Sequence, residues 1–189
     1  MTPPVGIIVG SNRRASINRR LAKALAHLIA DRVDVHWIAI DDLPMYNQDL
    51  EDARPDVVHR FTGEIARMTG LLFVTPEHNR SIPAVLKNAI DWGARPWGKT
   101  SWPGRPAAVI GTSGGVISTA VAQQHLKAVL NGQGLNLIGG EAYVQFKPEM
   151  IDGDANVPDE TVRGFLKGFV DRFTDFAGKL APRARQAAA

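Results

Sequence analysis

Apolar runs of strand length and stretches of helical spacing alternate five times along this chain, an order that few folds accept. Val5–Val9 is a short run of the buried kind, and Leu21, Leu25, Leu28 and Ile29 then mark one face of a helix over about Ile17–Ala30. Val33–Ile40 reads as a second strand, and Val58, Phe61, Ile65 and Met68 recur at helical spacing after it. Leu71–Thr75 is the third strand, stopped by Pro76, which has no N–H to continue a ladder. A helix over about Ala84–Trp92 follows, then a fourth strand at Ala107–Gly111 and a helix near Thr119–Asn131. The fifth strand, Asn136–Ile138, resumes at Ala142–Val144 and leads to the clearest helix of all. There Val162, Phe165, Leu166, Phe169, Val170, Phe173 and Phe176 repeat at the three-and-four spacing of a buried stripe, which the spacing assigns to core.

This order specifies an α/β fold, a parallel sheet with helices on both faces. Ligands of such sheets bind beyond the carboxyl ends of the strands, where the strand order reverses. The loops Ser11–Asn18, Pro76–Pro83 and Thr112–Ser118 follow strands one, three and four and are expected to converge on one rim. The chain is expected to make one domain over residues 1–181, with a disordered tail at 182–189.

The first loop, Gly10-Ser11-Asn12-Arg13-Arg14-Ala15-Ser16-Ile17-Asn18, leads from a strand into a helix, so unpaired backbone N–H groups point at whatever fills it. Four arginines (13, 14, 19 and 20) lie in the loop and the first helical turn, at the positive end of the helix dipole. Each is unfavourable there by about 0.3–1 kcal/mol unless an anion compensates. Ser16 also reads as a plain N-cap, and on helix-start grounds the two readings stand side by side. Arg19 occupies N3, where a capping box would have Glu or Gln, and this favours the anion. No Gly-x-Gly-x-x-Gly follows Gly10 and no Gly-Lys-Ser/Thr occurs, which points to a single phosphate monoester rather than a pyrophosphate.

Composition narrows the function further. Net charge is +3, from 22 basic and 19 acidic residues, and setting aside the four arginines leaves 18 basic against 19 acidic. The basic excess is local, which argues against a nucleic-acid surface. Without cysteine there is no disulfide, thiolate metal site or cysteine nucleophile. No His or carboxylate stands at metal-ligand spacing from His78, so no metal is expected. The start lacks a charged leader and no apolar run reaches membrane length, so a cytoplasmic protein without membrane association is expected.

The second loop displays Glu77, His78, Asn79, Arg80 and Ser81 between prolines; alone it also reads as a solvated connection. The third, Thr112-Ser113-Gly114-Gly115, allows close backbone approach, and a flexible turn explains its spacing equally well. Together, however, Gly10-Ser11-x-Arg13-x-x-Ser16-x-Asn18, Pro76-Glu77-His78-Asn79-x-Ser81-x-Pro83 with Leu86-Lys87-Asn88-Ala89-Ile90-Asp91-Trp92, and Asp42-Leu43-Pro44-x-Tyr46-Asn47-x-Asp49-Leu50-Glu51 resemble the NAD(P)H-dependent FMN reductases, the flavodoxin-like quinone, chromate and azo-dye reductases. The resemblance spans about Val5 to Leu130. It implies a three-layer, doubly wound five-stranded sheet of order 2-1-3-4-5. It also implies bound FMN, NAD(P)H as co-substrate, small-molecule electron acceptors, ping-pong kinetics and a homodimer or homotetramer. Alternatives within reach are a reductase that hands reduced FMN to a partner and a flavodoxin-type electron carrier.

By the same resemblance, Ser11, Asn12, Arg13, Ser16, Ile17 and Asn18 hold the FMN phosphate. Pro76, Glu77, His78 and Asn79 line the ribityl chain and the isoalloxazine edge, and Ser113, Gly114 and Gly115 meet the pyrimidine side. Backbone amides there and a helix dipole are expected to favour negative charge on the reduced flavin. Hydride transfer requires no side-chain acid or base, so none is assigned as catalytic. Leu43–Asp52 and Trp97–Trp102 are candidate subunit contacts. Two departures stand out: His78 replaces the family's usual tyrosine, and Ser118-Thr119 stand where a second glycine pair often follows Gly115.

Overall fold

The computed structural model describes residues 2–180. The tail expected at 182–189 lies outside the described residues. The chain runs β1 (Pro4–Val9), α1 (Ile17–Ile29), β2 (Asp34–Trp37), α2 (Asp56–Arg67), β3 (Gly70–Val74), α3 (Ala84–Gly93), β4 (Pro106–Ser113), α4 (Ala120–Gly132), β5 (Asn136–Leu137), β6 (Tyr143–Gln145) and α5 (Glu160–Leu180). All strand pairs are parallel, in the order β2-β1-β3-β4-β5, with β6 also on β4. This is the doubly wound, flavodoxin-like order that the sequence resemblance implies.

Residues alternate across β3 between two cores. Leu72 and Val74 face α1 and α5 with Leu21, Leu25, Ile29, Phe169 and Phe173, whereas Leu71 and Phe73 face α2, α3 and α4 with Phe61, Ile65, Trp92 and Trp102. Every residue of β3 is buried, as a central parallel strand requires. Each large side chain so buried contributes about 1.5–3 kcal/mol before the entropy of ordering it. Helix starts follow local chemistry. Ser16 Oγ accepts the Arg19 N–H at the head of α1, Asp159 Oδ1 accepts the Val162 N–H at the head of α5, and Pro55 and Pro83 precede α2 and α3.

Two expectations, the end of the second strand and the extent of the buried stripe on the last helix, are corrected, and the resumed fifth strand is observed. The second strand ends at Trp37 rather than Ile40, because β2 is an edge strand: Ile38 N–H still reaches Ile7 O at 3.0 Å, after which the chain turns away. The fifth sheet position is shared. β5 pairs with the start of β4 at Pro106 and Ala107, and β6 with its end at Gly111–Ser113. On α5, Phe165 is 47% exposed and Phe176 half-buried; a helix this long outruns the sheet it covers, so its stripe does not stay in the core throughout.

The order reverses between β1 and β3. α1 leaves the carboxyl end of β1 on one face and α3 leaves β3 on the other, so a crevice opens at that rim.

Candidate functional site

All three loops meet at the carboxyl edge of β1, β3 and β4. Gly10 N–H bonds Val74 O at 2.9 Å and Thr75 N–H bonds Ile110 O at 2.9 Å, so the strand ends are held in step. Beyond Gly10 the backbone pairing stops. The N–H groups of Ser11, Asn12, Arg13, Ile17 and Asn18 have no acceptor among the described residues. Arg13 and Arg14 are exposed, and neither forms a salt bridge among the described residues. Arg20, by contrast, is engaged: its guanidinium donates to the carbonyls of Pro148 and Ile151 and lies 5.1 Å over the Phe146 ring. A ring of free amides at a helix N-terminus with two free guanidiniums suits a phosphate.

Both readings of Ser16 are compatible, since its hydroxyl caps α1 by accepting the Arg19 N–H at 3.1 Å. Asn18 is buried, and its side chain has a second task. Nδ2 donates to Thr112 O at 2.8 Å and Oδ1 accepts Thr112 N–H at 2.9 Å. This pair bridges 94 residues of sequence and fastens the first loop to the end of β4. Thr112 and Ser118 hydroxyls both donate to Val144 O at 2.6 Å, fixing the third loop to β6.

The second loop is a tight hairpin. His78 and Ser81 exchange both backbone hydrogen bonds at 2.9 Å, and Asn79 and Arg80 between them have φ of 50° and 63°. Two successive left-handed residues define a type I′ turn, in which Asn is at home and Arg is strained. Ser118, with φ 55°, adds another left-handed side-chain-bearing residue beside the crevice. Strain of this kind collects where function demands it.

Glu77 ties the hairpin to α4. Its carboxylate is turned onto α4, where Oε2 accepts the Ala122 N–H at 3.0 Å, and Arg80 pairs with Oε1 at 3.3 Å. The N-terminal end of α4 therefore meets the chain's own carboxylate. Ser81 Oγ and His125 Nδ1, 2.8 Å apart, hold the hairpin to α4 a second time.

Two glycines show where close approach matters. A Cβ on Gly111 would stand 2.0 Å from Thr75 O, so β4 can pass β3 only as glycine. A Cβ on Gly114 would meet nothing within 4 Å, so the space beside it is open. A cleft of about 420 Å³ lies there, lined by Glu77, Arg80, Ser113, Gly115, Val116 and Ser118 among others. Flat heterocycle and phosphate thus each have a place on one rim: the residues fit FMN. Among the described residues no cluster of His, Asp and Glu could hold a metal ion.

Away from the crevice, Asn88 on α3 fixes the loop after β2, accepting Tyr46 N–H at 2.7 Å and donating to Pro44 O at 2.9 Å. Tyr46 packs edge-on against Trp92, and its hydroxyl donates to Glu51, which holds the phenol above its ordinary value. Of the candidate subunit contacts, Trp102 is corrected: it is fully buried beside Phe61 and Phe73, with Nε1 donating to Ile90 O at 3.0 Å. Trp97 is 88% exposed and Met45 74%. The hydrogen bonds made by Thr112, Ser118 and His125 had no signal in sequence, because each joins a partner far along the chain.

Comparison with known proteins points the same way. The chain is 43% identical over 174 residues to a 2-hydroxy-1,4-benzoquinone reductase of a Burkholderia species, covering 92% of this chain and 95% of that protein. It is 41% identical over 174 residues to a quinone reductase of Pseudomonas putida, covering 91% and 93%. Its fold superposes on FerB, a flavoenzyme NAD(P)H:(acceptor) oxidoreductase from Paracoccus denitrificans, with a TM-score of 0.92 at 45% identity, covering 94% of this chain and 98% of that one. The family model described as NADPH-dependent FMN reductase matches residues 3–149, which carry all three loops of the rim. The chain belongs to the NADPH-dependent FMN reductase family.

Proposed function

We propose that this protein is an FMN-dependent NAD(P)H oxidoreductase that reduces quinones or similar small acceptors. The observation that carries the reading is the set of unpaired amides at Ser11–Arg13 and Ile17–Asn18, beside the open corner at Gly114. The chemistry that FMN supplies when bound is hydride acceptance from a reduced nicotinamide and electron delivery to the acceptor. The chain's own part is to hold and orient. The Ser11, Asn12, Arg13 and Ile17 amides and the Arg13 guanidinium take the phosphate. Ser16 and Asn18 keep that loop in shape, and Asn18 has one further N–H to offer. Pro76, Glu77, His78 and Asn79 give the hairpin wall, and the Ser113, Gly114 and Gly115 backbone meets the pyrimidine edge.

The acceptor class follows from the quinone reductases among the relatives. A single cleft serving both substrates in turn gives ping-pong kinetics. The described helices include none long and apolar enough to cross a membrane, in keeping with a cytoplasmic enzyme. The exposed Trp97 and Met45 support a homodimer or homotetramer.

Purified protein is expected to be yellow through gel filtration and to release FMN on denaturation. Anaerobic NADPH bleaches it, and steady NADPH consumption with a benzoquinone gives parallel double-reciprocal lines. A yellow protein that NADPH does not bleach is a carrier, and one that loses FMN on the column is a supplier of reduced flavin.

A further inference from the structure

Because β2 ends at Trp37 while β1 continues to Val9, a notch of about 300 Å³ opens between them on the far side of the phosphate loop from the hairpin. Val9, Ile38 and Val85 make its floor, and Arg19, Lys23, Trp37 and Asp41 its rim, with Ser11 and Asn12 as the wall shared with the phosphate loop. The volume is at the lower end of small-molecule clefts, about 300–1,000 Å³, and suits one nucleoside rather than a dinucleotide.

Its charge is unexplained by FMN. The loop and first two turns of α1 carry Arg13, Arg14, Arg19, Arg20 and Lys23, with no acidic residue in the first turn. Arg20 is engaged with backbone carbonyls, and one phosphate monoester, of charge about −1.5 to −2, accounts for Arg13 and Arg14. Arg19, whose guanidinium reaches only the Ser11 carbonyl in the notch wall at 3.3 Å, and Lys23 remain without a countercharge, one turn apart on the same face, an arrangement that disfavours a helix on its own. Neither has a carboxylate within salt-bridge distance among the described residues. Across the apolar floor stands Trp37, an indole left 48% exposed at a sheet edge. Two unneutralised cations facing a flat aromatic over an apolar floor suit a purine nucleotide.

We propose that this notch binds the adenosine 2′-phosphate end of NADPH, with adenine against Trp37, the 2′-phosphate between Arg19 and Lys23, and Asp41 placed to accept from a ribose hydroxyl. The proposal rests on the flavoreductase reading above and gives that enzyme a preference for NADPH over NADH.

The test uses the full-length, FMN-loaded protein titrated with adenosine 2′,5′-bisphosphate, followed by calorimetry and tryptophan fluorescence. Binding that quenches fluorescence, competes with NADPH and exceeds 5′-AMP binding by about tenfold is expected, as for one lost charge-assisted contact. Lys23→Glu and Arg19→Gln each weaken the bisphosphate by about tenfold or more and raise KM for NADPH. Lys23→Glu leaves the visible spectrum of the bound flavin unchanged. Trp37→Ala weakens the bisphosphate and 5′-AMP alike. Unchanged affinity in these variants, inorganic phosphate competing as well as the bisphosphate, or release of FMN by the bisphosphate would overturn the proposal. A chain that neither holds FMN nor oxidises NADPH refutes the flavoreductase reading instead, and the bisphosphate titration still decides the notch.

Discussion

Arg13 and Ser16 lie three residues apart and act on different quantities. Arg13 is exposed and beside unpaired amides, so its removal costs the fold almost nothing and costs an anion a charge-assisted contact of about 1.5–3 kcal/mol. Ser16 is buried and caps α1, and loss of such a cap costs about 1 kcal/mol of stability. Arg13→Ala is therefore expected to weaken FMN binding to the apoprotein by tenfold or more with an unchanged melting temperature. Ser16→Ala is expected to lower the melting temperature of the apoprotein. Flavin fluorescence titration beside thermal melts reads both, and equal FMN affinity in Arg13→Ala and wild type would refute the phosphate assignment.

At the scale of elements, α5 is held by charge to the turn that follows α1, beside the packing of its stripe. Arg32 pairs with Asp171 at 2.8 Å and with Asp175 at 2.5 Å, and Lys167 reaches Asp171 at 2.6 Å. Burial pushes the Asp171 carboxyl up, but Lys167 and Arg32 outweigh it and hold it below the ordinary 3.8. A carboxylate so held stabilises the fold fully above its unfolded value and loses that contribution as the pH falls through its lower folded value. Asp171→Asn is expected to cost about 1 kcal/mol at pH 7, the upper range for partly exposed pairs. Urea midpoints should differ between the two proteins above pH about 4 and converge as the pH drops below it. A difference that persists undiminished at pH 2 would mean that packing, not charge, is what the substitution disturbs.

The whole molecule carries exposed apolar side chains that its own fold does not cover. Trp97, Met45 and Val116 are each more than two-thirds exposed, and Val116 sits beside the cleft at Gly114. Trp97 borders a cavity of about 580 Å³ with Tyr46, Arg95 and Gln133, so a protruding indole stands next to a recess on the same surface. In a two-fold assembly, knob and recess on one patch can serve both subunits. Sedimentation is expected to find a dimer or tetramer, and Trp97→Glu to shift it towards monomer with the visible spectrum retained. A monomeric wild type would remove the assembly from the proposed function.

The five-fold alternation of apolar run and helical pattern determined the parallel sheet, its two cores and the rim where three loops meet, because burial on both faces leaves such a chain few other arrangements. The cations of the first loop likewise marked a candidate anion site from sequence, since the cost of charge at a helix N-terminus is local. Tertiary structure alone decided the rest. That Asn18 is tied to Thr112, that Glu77 faces α4 and that Phe165 leaves the core depend on contacts between distant segments or on where an element outruns its neighbours. The early end of β2, which opens the notch beneath Arg19 and Lys23, belongs to the same class: an edge strand stops where its single neighbour no longer holds it, and no residue in its own sequence says where that is.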